Sequence, residues 1–205
     1  MRRAVREELR KGAHQIKIMR SGGVSSPSDP VHSMQFSDEE IRVAVQEAER
    51  HGTYVAAHCI PDQAVRRCVE LGVRSIEHAV LISESTAAFV ASRQAYVVPT
   101  LAIIMGLAEE GERLGYPAVS MQKLRAIHAS ALTGLDRMAR AGVKLGFGTD
   151  LLGNAMWRIF ALSCNRSRVL LRPVAGQAQR GSGQKVRASA HKTGNITGDQ
   201  RIPRP

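Results

Sequence analysis

Apolar and polar positions follow two alternating rhythms between residues 12 and 153. "HQIKIMRSGG" places Ile16 and Ile18 on one side of an extended segment and Gln15, Lys17 and Met19 on the other, before two glycines break it. After the loop "SGGVSSPSDPVHSMQ", Ser37 followed three residues on by Glu40 forms a capping box, and Ile41, Ala44, Val45 and Ala48 fall on one helical face that Gly52 ends. "TYVAAHC" reads as the next strand. Pro61 opens a helix carrying Ala64, Val65, Cys68 and Val69 up to Gly72, and "VRSIEHAV" is a third strand. Ser83 caps a helix to about Gln94, "AYVVPTL" is an apolar strand, and a long helix from about Ser120 to Arg140 closes at Gly142 before "VKLGFGTD". Strand and helix in strict alternation predict an α/β fold with a parallel sheet and right-handed crossovers. Five such steps suit an open doubly wound sheet or part of a barrel.

Composition changes this picture mainly at the C-terminal end. The chain has 205 residues, 43% apolar, enough for one substantial core. No stretch approaches the roughly 18 consecutive apolar residues of a membrane span. The charged start "MRRAVREELRKGA" reads as a surface helix and lacks the apolar core of a signal peptide, so a cytoplasmic location is expected. Of the net charge of +11, most lies beyond Gly153, where ten Lys and Arg face a single acid, Asp199. Scattered arginine among Gly, Ser, Gln and Pro predicts an irregular basic tail over 154–205 and no specific nucleic-acid partner. Cys59, Cys68 and Cys164 show no CxxC or zinc-finger spacing.

Four chemistry-bearing side chains stand at the C-terminal ends of strands, where α/β folds build their sites: Lys17, His58, His78 and Asp150. Alternation puts His58 on a face with Ala56 and Tyr54, His78 with Ile76 and Arg74, and Asp150 with Gly148, Gly146 and Lys144. Glycines on the inner face leave room beside the carboxylate. Two imidazoles and a carboxylate on successive strand ends suit a divalent metal, with zinc the first expectation. His14, His32, His51, His128 and His191 read as ordinary histidines.

The segments "GAHQIKIMRSGGVSSPSDP", "YVAAHC", "GVRSIEHAVLI", "AYVVPTL" and "AGVKLGFGTDLLG", in that order and spacing, resemble the metal-dependent amidohydrolase superfamily, in particular its imidazolonepropionase-like and Xaa-Pro dipeptidase-like members. The resemblance covers about residues 5–153 and includes loops as well as strand ends. It implies a TIM-type (β/α)8 barrel, here partial and spanning strands four to eight over residues 1–153, followed by the basic tail. It implies that Lys17 is a carboxylated lysine bridging two metals, that His58 and His78 are metal ligands, and that Asp150 is both ligand and catalytic proton shuttle. The expected activity is hydrolysis of C–N bonds of amides or dipeptides through attack by metal-activated water. Loop Ser21–Gly23 and Thr100 are expected near the substrate, whose own binding residues the sequence does not assign.

Superfamily members also carry a His-x-His pair on strand one, and no His-x-His occurs in this sequence. A fragment is therefore expected, with a shifted reading frame after Gly153 as one origin of the tail. Exposed parallel edges then favour association with another chain, including a homo-oligomer. The alternative to a metal hydrolase is a non-catalytic amidohydrolase remnant acting as a binding or pseudogene product.

Overall fold

The structure is a computed structural model that describes residues 1–151 and the strand Thr193–Ile196. Twelve elements run in the order α1 (Arg2–Arg10), β1 (Gln15–Met19), α2 (Asp38–Arg50), β2 (Val55–Pro61), α3 (Asp62–Glu70), β3 (Ser75–Leu81), α4 (Glu84–Ser92), β4 (Tyr96–Val98), α5 (Leu101–Glu110), α6 (Ala118–Arg140), β5 (Lys144–Leu145) and β6 (Thr193–Ile196). The strands form one sheet, β5-β4-β3-β2-β1-β6, in which every pairing is parallel. The alternation of strand and helix thus produces the α/β sheet that the pattern predicts.

Local chemistry accounts for the element boundaries. Ser37 Oγ accepts from the Glu40 N–H and the Glu40 carboxylate accepts from the Ser37 N–H, so the expected capping box starts α2. Ser83 caps α4 through the Thr86 N–H, while Asp62 at the start of α3 accepts from the Ser83 N–H at 2.6 Å and ties the two helix starts together. Three stretches differ from expectation. "AYVVPTL" holds only a three-residue strand, because Thr100 turns into the left-handed region (φ +48°) and the apolar residues after it begin α5 instead. β5 is two residues long, and the glycines after it carry the chain to Asp150 without further strand pairing. The sixth strand, β6, pairs with β1 and comes from within the tail, where the sequence pattern gives no periodicity. The predicted frame shift and irregularity of the remaining tail fall on 152–192 and 197–205, outside the described residues.

Two apolar clusters result. Ile16, Ile18, Ala57, Cys59, Ile76 and Val97 face away from the site and pack against α2, α3 and α4 in the main core. A second cluster lies beyond the strand ends, where Ile60 and Val80 meet α5 and α6. There α6 crosses β3 so closely that a Cβ on Gly134 would stand 2.7 Å from the Val80 carbonyl oxygen. Gly134→Ala is expected to cost about 1–3 kcal/mol of stability in denaturant titration, the usual penalty of overpacking.

α1 docks on α2 by charge. The Glu47 carboxylate, 1% exposed, accepts from Arg2, from Arg6 Nε at 2.6 Å and from Arg50 at 2.9 Å. The Arg6 hydrogen bond and the surrounding guanidinium charges lower its pKa from 4.5 to about 2. A depressed carboxylate pKa means that the unfolded chain binds more protons in the interval between the two values. This contribution to stability is therefore full above pH 4.5 and disappears as pH falls through about 2. The thermal midpoint of the wild-type protein is expected to fall over that window, and Glu47→Gln to flatten the fall.

Candidate active site

Strand register decides which side chains reach the site. Lys17 pairs with Ala56, Met19 with His58, His58 with Glu77, and Glu77 with Val98, so these residues share the face opposite the helix-packed core. Ile16 and Ile18, both fully buried, anchor β1 on its other side, and Lys17 is thereby directed inward as alternation predicts. Ala56 beside it leaves space.

His78 reaches the same cavity by a route that alternation does not predict. Ile76 packs in the main core, so simple alternation would send His78, the partner of Cys59, toward the helices as well. The expected sharing of a face by His78, Ile76 and Arg74 is therefore corrected. Between Cys59 and Pro61 the register shifts by one extra residue in β3, and His78 and Ala79 take left-handed φ values of +76° and +49°. A β-bulge of this kind re-aims a side chain, and here it turns His78 inward. The backbone strain falls on His78, which gains a position in the site, and on Ala79 beside it.

The two imidazoles lie edge to face, ring centroids 4.5 Å apart and planes at 69°, each 8% exposed. Each is held by one oxygen. His58 Nε2 is 3.1 Å from the Gly22 carbonyl oxygen, and His78 Nδ1 is 2.6 Å from Thr100 Oγ1. Loop Ser21–Gly23 and Thr100, expected as substrate surroundings, thus orient the imidazoles. Burial lowers the His58 pKa from 6.5 to about 4, with Lys17 acting in the same direction and the Gly22 carbonyl opposing it. Burial also pushes His78 well below the ordinary range, helped by His58 and Lys17. Burial thus favours the neutral form of both rings. Each keeps one nitrogen, Nδ1 of His58 and Nε2 of His78, without a hydrogen-bond partner among the described residues.

Asp150 stands at the exposed rim of the cavity with φ +51°. Partial desolvation raises its pKa, and Lys17 pulls it back down. The glycines before it are required by space, since a Cβ on Gly148 would come within 2.7 Å of Val98 Cγ1. Sequence reasoning missed two acids. Glu77, half-buried on the inward face, has its pKa raised by desolvation and Asp150 and lowered by Lys17 and its Ser75 hydrogen bond. Asp29 lines the cavity from the aperiodic loop, fixed by Ser33 Oγ at 2.7 Å and Gln35 Nε2 at 2.6 Å. Register alone could have found Glu77 once its pairing with His58 was known; no pattern pointed to Asp29.

Lys17, His58, His78 and Asp150 all border one cavity of about 350 Å³. Two neutral imidazoles, each oriented by an oxygen acceptor or hydroxyl, fit the chemistry of a divalent metal, which takes an imidazole lone pair and gains from such outer hydrogen bonds. Among the described residues, no three His, Cys, Asp or Glu side chains converge on one metal position, so Asp150 does not close onto the histidine pair. Any third donor close to the rings has to come from elsewhere, with Lys17 available in the same cavity. Thr100→Val, which removes the hydroxyl beside His78, is expected to weaken zinc binding about tenfold to a hundredfold in a calorimetric titration. No helix among the described residues is long and apolar enough to cross a membrane.

Comparison with known proteins bears on the family and the fold. Residues 1–183 match the model of the amidohydrolase family. The ochratoxinase of Aspergillus niger is 36% identical over 151 residues, covering 73% of this chain and 31% of the ochratoxinase, so the chain spans about a third of that relative. Among solved structures, a prolidase complexed with N-methylphosphonate-L-proline superposes with a TM-score of 0.73 at 44% identity, over 88% of this chain and 48% of the prolidase. A Xaa-Pro dipeptidase with methionine in its active site superposes with a TM-score of 0.70 at 27% identity, over 80% of this chain and 41% of the dipeptidase. A sheet of parallel strands with its polar residues at the strand ends, matched over most of its length, makes this chain a member of the amidohydrolase family.

Proposed function

We propose that the chain forms part of a metal-dependent hydrolase of C–N bonds in amides or dipeptides, with Lys17, His58 and His78 holding a divalent metal, zinc in the first instance, and Asp150 moving the proton. The observation that carries this reading is the pair of buried imidazoles, 4.5 Å apart, bordering one cavity with Lys17 and Asp150. The names of the relatives support the bond type: a prolidase and a Xaa-Pro dipeptidase are peptide hydrolases by name.

The chemistry assigned to each side chain follows from its surroundings. When bound, a divalent metal activates water and polarises a scissile carbonyl. His58 Nδ1 presents a lone pair when Nε2 donates to the Gly22 carbonyl, and His78 Nε2 does so when Nδ1 donates to the Thr100 hydroxyl. Lys17 as an ammonium repels a cation. Conversion to a carbamate by CO2 forms an N–C bond, releases protons to solvent and replaces the positive charge with an anionic oxygen donor. Asp150, at the rim, accepts a proton from the attacking water and delivers it to the leaving amine. Its raised pKa suits a group that must hold a proton between those two steps.

The test is hydrolysis of a panel of N-acyl amino acids and dipeptides by the full-length protein, before and after chelation and with zinc restored. Turnover that chelation removes and zinc restores is the expected result. Turnover indifferent to chelation contradicts the metal. Absence of both metal and turnover favours a non-catalytic remnant.

A further inference from the structure

The cavity is divided into two chemically different halves. Lys17, His58 and His78 line it from the sheet, whereas an apolar wall is built from Ile103, Ile104 and Leu107 of α5 and Leu124 and Ile127 of α6, continued by Val80 of β3. We propose that this wall selects the substrate: the cavity receives amides bearing a large apolar group, which occupies the chamber under α5 and α6 while the amide lies toward the histidine pair. The inference rests on the reading of that pair as the reacting end.

Three observations support it. First, the wall residues are 2–6% exposed and belong to the second apolar cluster, yet they border open volume. Protein interiors are otherwise close-packed, and water against the apolar wall finds few hydrogen-bond partners there, so that side of the cavity favours an apolar group. Secondly, the first seven residues of α5, "LAIIMGL", contain no polar side chain, so a charged or amide-bearing substituent placed there would lose its hydration and find no partner. Thirdly, the chamber is preformed. The Lys123 ammonium of α6 donates to the carbonyl oxygens of Ser26 and Asp29, both at 2.6 Å, and so fastens the β1–α2 loop to the helix that supplies Leu124 and Ile127. A rigid apolar chamber favours its ligand because little ordering remains to be done on binding.

Calorimetry on the metal-free, full-length protein tests this with N-acetyl-L-leucinamide, N-acetylglycinamide and N-acetyl-L-glutamate amide, and hydrolysis of the same three compounds is measured after zinc is restored. The leucine compound is expected to bind about tenfold or more tightly than the glycine compound, with the glutamate compound no better than glycine. Ile104→Phe, which fills the chamber, is expected to reduce the leucine preference to within about threefold, with circular dichroism verifying the fold. Should that variant fail to fold, the wild-type series still decides. Equal affinity for leucine and glycine compounds, or binding of neither, overturns the inference. Leucine preference without hydrolysis of any compound supports the chamber and counts against the hydrolase reading alone.

Discussion

Asp150→Asn is expected to slow amide hydrolysis by about 10²- to 10⁴-fold, the usual worth of a positioned acid–base group, while zinc content stays within about twofold of the wild type. The separation of the two effects follows from the geometry. Asp150 lies at the exposed rim, and it does not join His58 and His78 in a cluster tight enough for one metal. Asparagine keeps the shape and the left-handed backbone, which asparagine tolerates about as well as aspartate, but cannot carry the proton. Activity and metal content are to be measured on the same preparations. Loss of metal in parallel with activity would make Asp150 chiefly a ligand, and unchanged activity would remove it from the mechanism.

Gly22→Ala carries the largest expected effect on structure. A Cβ at this position would stand 1.9 Å from the Pro30 carbonyl oxygen and 2.8 Å from Ser33 Oγ, far inside contact distance of backbone that has little room to retreat. The Gly22 N–H donates to the Ser33 carbonyl, and the Ser33 N–H donates to that same Pro30 oxygen, so the turn must open as a unit. Opening it withdraws the Gly22 carbonyl from His58 and disturbs Ser21, whose hydroxyl accepts the Ile60 N–H at 3.1 Å. The substitution is expected to cost about 3 kcal/mol in denaturant titration. It is also expected to weaken zinc binding about tenfold to a hundredfold through the lost orientation of His58. Unaltered stability would show that the loop yields at no cost, and unaltered zinc affinity would show that His58 needs no such partner.

How much of this was legible beforehand depended on whether the signal was local. Ser37 and Glu40 state a helix start within four residues, and Ile16 and Ile18 state the buried side of β1 within three; both are realised. The family resemblance likewise rests on short segments that survive in order. The sequence places His78 at the site but on a face with Ile76 and Arg74, because alternation assumes an unbroken strand and the bulge at His78 and Ala79 is set by how β3 pairs with β2. Glu77 became visible as an inward residue for the same reason. α5 went unforeseen since "LAIIMG" is apolar throughout, and a short apolar run does not by itself distinguish strand from helix. Asp29 and Lys123 meet across almost a hundred residues of sequence, so their part in shaping the cavity is a property of the tertiary fold alone. In the tail, β6 rests on pairing with β1 and has no periodic pattern of its own.

The central claim is that His58 and His78, assisted by Lys17, hold a divalent metal. It is tested most directly by calorimetric titration of zinc into the metal-free, full-length protein in bicarbonate buffer, alongside the His58→Ala/His78→Ala double variant. The expected result is saturable binding by the wild type that weakens on the order of a hundredfold or more in the double variant. Binding of equal strength by both proteins, or by neither, would contradict it.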